Sequence, residues 1–247
     1  MVPILLALAA AGTAAPANLK ACTDQAASAP AEAEAAAERW AIKGGGADAR
    51  LCQGLALAAL ERWPAAALAF EQAAGEAVQR RDPRQGDLWV QAGNAWLAAN
   101  EAAKAKSAFD AALATNALAG PLQGEAYLDR ARAAVALGNE AGARADIDKA
   151  LALVPGDGFA WYLSAALARR QGDLKRARAD IAKAVGLAPD ESPILLEAGN
   201  IAASSDEIEG AKALYARAAR AQPGSDAARA ARAALAANPD APAPAAR

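Results

Sequence analysis

The sequence predicts an all-α protein, a linear stack of helical hairpins, and three observations predict it. Pro155, Pro189 and Pro223 stand 34 residues apart, and the residues upstream of each proline repeat with it. Ala143, Ala177 and Ala211 fill one position, Ala150, Ala184 and Ala218 a second, and Ile147, Ile181 and Tyr215 a third. A period of this length marks identical supersecondary units stacked in one dimension. Composition agrees: 55% of the chain is hydrophobic while 4% is aromatic, alanine making up much of the difference. Alanine has the highest helix propensity and no side-chain entropy to lose, so it suits helices that must approach closely.

One unit, 158–191, shows why each is a hairpin. Trp161, Ala165 and Ala168 follow at spacings of 4 and 3 and share one face of a first helix. Gly172 closes that helix, where a left-handed residue is needed. Ala177, Ile181 and Ala184 form the stripe of a second helix, and Pro189 stops it because proline disfavours helical geometry in the preceding residue.

In chain order, 18–46 reads as a degenerate first hairpin, with Pro30 between two alanine-rich segments, Trp40 on the second, and a Gly44-Gly45-Gly46 turn. Unit 47–80 supplies Gly54, Leu57, Trp63, Ala66, Phe70 and Ala73. Unit 86–119 supplies Trp89, Gly93, Trp96, Ala105, Phe109 and Ala112, without the proline. Insertions at 81–85 and 120–123 break the period around it. Unit 124–157 carries Tyr127, Ala131, Gly138, Ala143, Ile147, Ala150 and Pro155; unit 192–225 carries Leu195, Gly199, Ala202, Ala211, Tyr215, Ala218 and Pro223. Residues 226–238 read as a capping helix, with Ser225 or Asp226 as its N-cap, covering the face that the last unit leaves bare. The proline-alanine tail 239–247 reads as extended and disordered.

This succession of large, small and proline positions over 47–225 resembles the tetratricopeptide repeat. The resemblance implies a right-handed superhelical solenoid whose first helices line a concave groove for peptides or partner helices. The groove positions it implies are Leu51, Leu55, Val90, Asn94, Leu128, Arg132, Tyr162, Arg169, Leu196 and Asn200. Asn94 and Asn200 are expected to hydrogen-bond a partner's backbone, and Arg132 and Arg169 to meet a carboxylate. Members of the family that clamp a C-terminal carboxylate use Lys and Asn at fixed positions. The equivalent of the lysine here is Leu51, Val90, Leu128, Tyr162 or Leu196, so that activity is not implied.

The chain contains no histidine, which removes the usual general base, the Ser-His-Asp and Cys-His arrangements and the commonest metal ligand. No glycine-rich phosphate or dinucleotide signature is present. Carboxylates gather at Asp146 and Asp148 and at Asp206, Glu207 and Glu209, on helix faces or a turn expected to be solvated. The chain reads as a non-enzyme without cofactor or metal. A net charge of −2 with interspersed signs gives no footprint for nucleic acid. Most aromatics occupy packing positions, leaving Tyr162 and Phe159 for the groove, too few for a stacking platform. A protein or peptide partner is expected; the alternative is a glycan-binding or accessory factor for envelope polysaccharide export. Peripheral membrane association is not expected.

Residues 2–15 are apolar, too few to span a bilayer. Ala15-Pro16-Ala17 has the small-residue form of a cleavage site, so 1–17 reads as a signal peptide, although no Lys or Arg precedes the apolar stretch. Arginine outnumbers lysine 18 to 8, as in a GC-rich bacterial genome, and the expected location is periplasmic or secreted. Cys22 and Cys52 occupy equivalent first-helix positions of adjacent units and can pair in an oxidising compartment. Regular neighbouring helices sit about 8–10 Å apart, whereas a disulfide needs Cα atoms within about 4.4–6.8 Å. The bridge therefore requires an irregular first hairpin. Two buried free thiols are one alternative; a lipidated Cys22 is another, opposed by the charge of Lys20.

Overall fold

Proline and glycine set the helix boundaries. Pro30, Pro64, Pro121 and Pro193 each stand in the first turn of a helix, where a missing amide proton costs nothing. Gly138 and Gly172, with φ of +74° and +76°, follow helix ends in the left-handed conformation that a Cβ would oppose. In a computed structural model of the protein, residues 18–237 are described and form thirteen α-helices, with no strand among the described residues. The signal peptide expected over 1–17 and the tail expected over 239–247 lie outside the described residues. The chain divides into two compact units that meet in sequence between Leu118 and Ala119.

The first unit contains α1 (Leu19–Ser28), α2 (Pro30–Ile42), α3 (Gly46–Ala59), α4 (Trp63–Arg80), α5 (Gln85–Ala98) and α6 (Ala102–Ala114). Cys22 on α1 and Cys52 on α3 form a disulfide, with Cα atoms 5.9 Å apart. Both are fully buried beside Leu19, Ala37 and Trp40. The short α1 makes the close approach that regular spacing would forbid. The insertion after α4 is a turn organised by Asp82, whose carboxylate accepts the Arg84 amide at 2.9 Å and its guanidinium at 2.6–3.2 Å. Those hydrogen bonds to Arg84 hold the Asp82 carboxyl down at about 2.

The second unit contains α7 (Gly120–Ala136), α8 (Glu140–Leu153), α9 (Gly158–Arg170), α10 (Leu174–Leu187), α11 (Ser192–Ala203), α12 (Ile208–Ala221) and α13 (Asp226–Ala237). Residues 120–123, which break the strict period, form the first turn of a lengthened α7, with Pro121 at its start. Asn139, Asp157 and Asp173 cap α8, α9 and α10 through their side chains. The Ser225 hydroxyl accepts the Ala228 amide at 3.1 Å at the head of α13, which packs on α11 and α12.

Within each regular hairpin the two helices interlock at one pair of positions sixteen residues apart. Gly54 faces Phe70, Gly93 faces Phe109 and Gly199 faces Tyr215. Where the second helix carries the smaller Ile147 or Ile181, the first carries Ala131 or Ala165 in the same core cluster. A Cβ on Gly93 would stand 2.5 Å from the Phe109 ring, which is fully buried. Gly93→Ala gains roughly 1 kcal/mol of helix propensity, yet a net loss of about 1–3 kcal/mol is expected in urea unfolding because the ring has nowhere to move. Adding Phe109→Ile rebuilds the Ala131/Ile147 pairing and should recover most of the loss. A double variant no more stable than Gly93→Ala would show that the ring is not the obstacle.

The core also holds charge. Arg130 Nε and Nη2 donate to the two oxygens of Asp146, each at 2.7 Å, in a bidentate fork between α7 and α8. One hairpin later Ser164 Oγ donates to Asp180 at 2.6 Å and accepts from Arg144 at 2.7 Å. Asp146, expected on a solvated face, is therefore buried. Its side chain points across the hairpin, where the fork replaces the water it has lost. Asp148, two residues on, is exposed and pairs with Arg176.

Candidate functional site

The first helices carry the residues expected to meet a partner. In the first unit Leu51 and Leu55 on α3 and Val90 and Asn94 on α5 are all half-buried. The second unit is richer. Arg132 on α7 keeps a side chain 48% exposed, paired with Asp129 at 2.9 Å. On α9 the rings of Phe159 and Tyr162 lie 5.1 Å apart and tilted by 32°, and Phe159 is 44% exposed. Tyr162, Glu197 and Asp226, with Pro193, Leu196, Ala227 and Ala230, border a cavity of about 360 Å³ between α9, α11 and the head of α13. Its walls are mostly apolar, with the Glu197 and Asp226 carboxylates among them.

Three residues expected to face a partner are otherwise engaged. Leu128 is 4% exposed and belongs to the core that α7 and α8 share with Ala160 and Leu167 of α9; the seam between neighbouring hairpins takes up its side chain. Arg169 donates to both oxygens of Glu197, from Nε at 2.6 Å and Nη2 at 3.2 Å. Asn200 donates to the same carboxylate at 3.1 Å and accepts the Tyr215 hydroxyl at 3.0 Å. The buried Glu197 carboxylate requires such partners, so Arg169 and Asn200 are committed inside the chain. Glu197 was not anticipated from the sequence. A signal exists, however: Glu34–Arg62, Asp148–Arg176 and Arg169–Glu197 all pair across 28 residues.

The phenols near this network stay neutral. Burial pushes the Tyr162 hydroxyl up, and the Glu197 carboxylate adds to the shift against the pull of Arg169 and Arg132. Burial likewise raises Tyr215. A phenol whose folded value is raised keeps its proton where the unfolded chain loses it. Its contribution to stability is therefore present below about pH 10 and lost as pH rises through the folded value. Urea midpoints measured across that range should fall more steeply for the native chain than for Tyr162→Phe. Identical slopes would show that Tyr162 titrates as in the unfolded chain.

Among the described residues no group of potential ligands is arranged to hold a metal ion, and no helix is long and apolar enough to cross a membrane.

Hairpins repeated at a fixed period define a helical-repeat solenoid. Residues 160–191 match the family model of the tetratricopeptide repeat. Among solved structures it resembles PilW, a widely conserved type IV pilus biogenesis factor, at 20% identity and a TM-score of 0.68 over 86% of this chain and 97% of PilW. PilF of Pseudomonas aeruginosa matches at 14% identity and a TM-score of 0.66, over 87% of this chain and 97% of that one. YrrB, a tetratricopeptide-repeat protein with an unusual peptide-binding site, matches at 19% identity and 0.55, over 79% and 96%. At these identities the likeness is one of fold. No curated protein matches the chain in sequence.

Proposed function

We propose that this protein is a non-catalytic interaction scaffold of the bacterial cell envelope, holding a peptide or helix of a partner protein along the first-helix face of its second unit. The observation that carries this reading is the mostly apolar cavity beside Tyr162 and Leu196, with the Phe159 ring exposed at 5.1 Å from that of Tyr162. Such a preformed surface requires little ordering of the receptor on binding, so the ligand bears most of the entropic cost. Two rings on one helix favour a peptide over a glycan or a single strand of nucleic acid, which need successive platforms. The envelope location is supported by Ala15-Pro16-Ala17 and by a disulfide between Cys22 and Cys52, which persists in an oxidising compartment.

Two measurements test the reading. Full-length chain expressed in a bacterium should yield an envelope product that begins at Asn18 and is lighter by two hydrogens. A product retaining Met1 with free thiols would place it in the cytoplasm. Against a partner recovered by cross-linking in that compartment, Tyr162→Ala with Arg132→Ala should weaken affinity by about tenfold or more with helicity unchanged. Unchanged affinity would sink the groove assignment.

A further inference from the structure

Resting on that peptide-binding reading, we infer that a pit between α7 and α9 takes one apolar side chain of the partner that stands next to an acidic residue. Ala131 and Val135 of α7, Ile147 of α8, and Leu163 and Leu167 of α9 enclose a cavity of about 250 Å³, with Arg132 and Arg170 at its edge and Ala166 at its mouth. Its enclosing side chains are aliphatic, so a polar group entering it would lose water without gaining a partner. Small-molecule sites usually occupy about 300–1,000 Å³. This pit is smaller, and its open mouth suits a single side chain on a longer ligand.

The edge supplies the other half of the recognition. Arg132 and Arg170 keep side chains 48% and 49% exposed. Arg132 is held by Asp129 on its own helix, and Arg170 meets Glu140 at 3.6 Å, too far for a hydrogen bond. By contrast Arg144 and Arg169 are tied to Ser164 and Glu197 by short hydrogen bonds. The two guanidiniums at the pit are thus the ones with donors to spare. Exposed ion pairs are weak, so an incoming carboxylate can displace them and be met by planar N–H donors. A lysine beside the anchor would meet like charge instead. Ala166 keeps the mouth open, where the equivalent positions carry Leu55, Asn94, Arg132 and Asn200.

The test uses isotope-labelled full-length protein, followed by NMR, and short acetylated and amidated peptides of serine and alanine bearing one variable pair. Blocked ends remove any chain-terminal carboxylate from the comparison. Peptides carrying Leu-Glu or Phe-Glu should move the resonances of Val135, Leu163 and Ala166. Leu-Lys and Ala-Glu peptides should bind at least about tenfold more weakly. Ala166→Phe, which fills the mouth, should abolish the response, and Arg132→Gln with Arg170→Gln should make Leu-Glu and Leu-Lys equivalent. Equal binding of Leu-Glu and Leu-Lys by the native chain overturns the proposal, as does binding that survives Ala166→Phe. So does octanoate moving these resonances when no peptide does, which would make the pit an acyl-chain site. Peptides that shift only Phe159, Tyr162 and Leu196 would defeat the pit while leaving the peptide-binding reading standing. Absence of any peptide response would defeat both.

Discussion

Arg130→Ala is expected to lower the unfolding free energy of the second unit by about 3–5 kcal/mol, the cost of leaving one member of a buried ion pair alone. Asp146 has little access to water, and the fork from Arg130 at 2.7 Å on both oxygens satisfies it. Removing the guanidinium strands a carboxylate that must draw water into the hairpin. The pair is not thereby a net source of stability. Arg130→Met with Asp146→Leu fills the same space without charge and should leave stability nearly unchanged, or raise it. Arg130→Lys should fall between, because an ammonium cannot reproduce the planar two-point contact. Urea unfolding of the three variants distinguishes these outcomes. If Arg130→Ala proves no worse than the double apolar variant, Asp146 is better solvated than its position between the helices indicates.

Removal of the disulfide by Cys22→Ala with Cys52→Ala should cost about 3–4 kcal/mol, from the closure of a 30-residue loop. The loss should not be spread evenly. Cys22 and Ala26 are the buried residues of α1, so without the bridge little apolar surface holds that helix down. Alanine in place of each cysteine keeps the site apolar and isolates the cross-link from its packing. Hydrogen exchange should show α1 amides losing protection first, while those of α4 and α5, packed around Phe70, Ala73 and Leu88, keep theirs. Uniform loss across the first unit would mean that α1 folds as one with the rest. Retention of α1 protection would mean that the bridge is dispensable there.

Much of the fold was legible in the sequence, because helix period, proline and glycine are local signals. Ala143, Ala177 and Ala211 all fall on buried helix faces, and Gly172 adopts the left-handed conformation its position required. That the insertion 120–123 lengthens α7 was legible in principle, because Pro121 is a first-turn residue. The candidate site was harder to read. Whether Arg169 faces a partner or its own chain depends on Glu197, 28 residues away, and neither helix alone shows which side meets the other. Leu128 and Leu196 occupy the same slot, yet one is buried and one half-exposed, since burial there depends on the helix that packs alongside. Periodicity fixes a face of a helix; only the neighbouring hairpin decides how much of that face remains open.

The matched glycine-aromatic and alanine-isoleucine positions also limit how such a chain can be rearranged by genetic exchange. A crossover at the loop between two hairpins keeps each large ring with its own hole. A crossover inside a hairpin, between a glycine-aromatic unit and an alanine-isoleucine unit, does not. Joining the first helix of 124–157 to the second helix of 86–119 would set Ala131 against Phe109; the reciprocal product would leave Gly93 facing Ile147 across a void. The first product is overfilled and the second underfilled, and both are less stable than either parent. Between units of unlike pairing, the smallest segment that can be traded without such a penalty is therefore the whole hairpin, cut between hairpins and not at its internal turn.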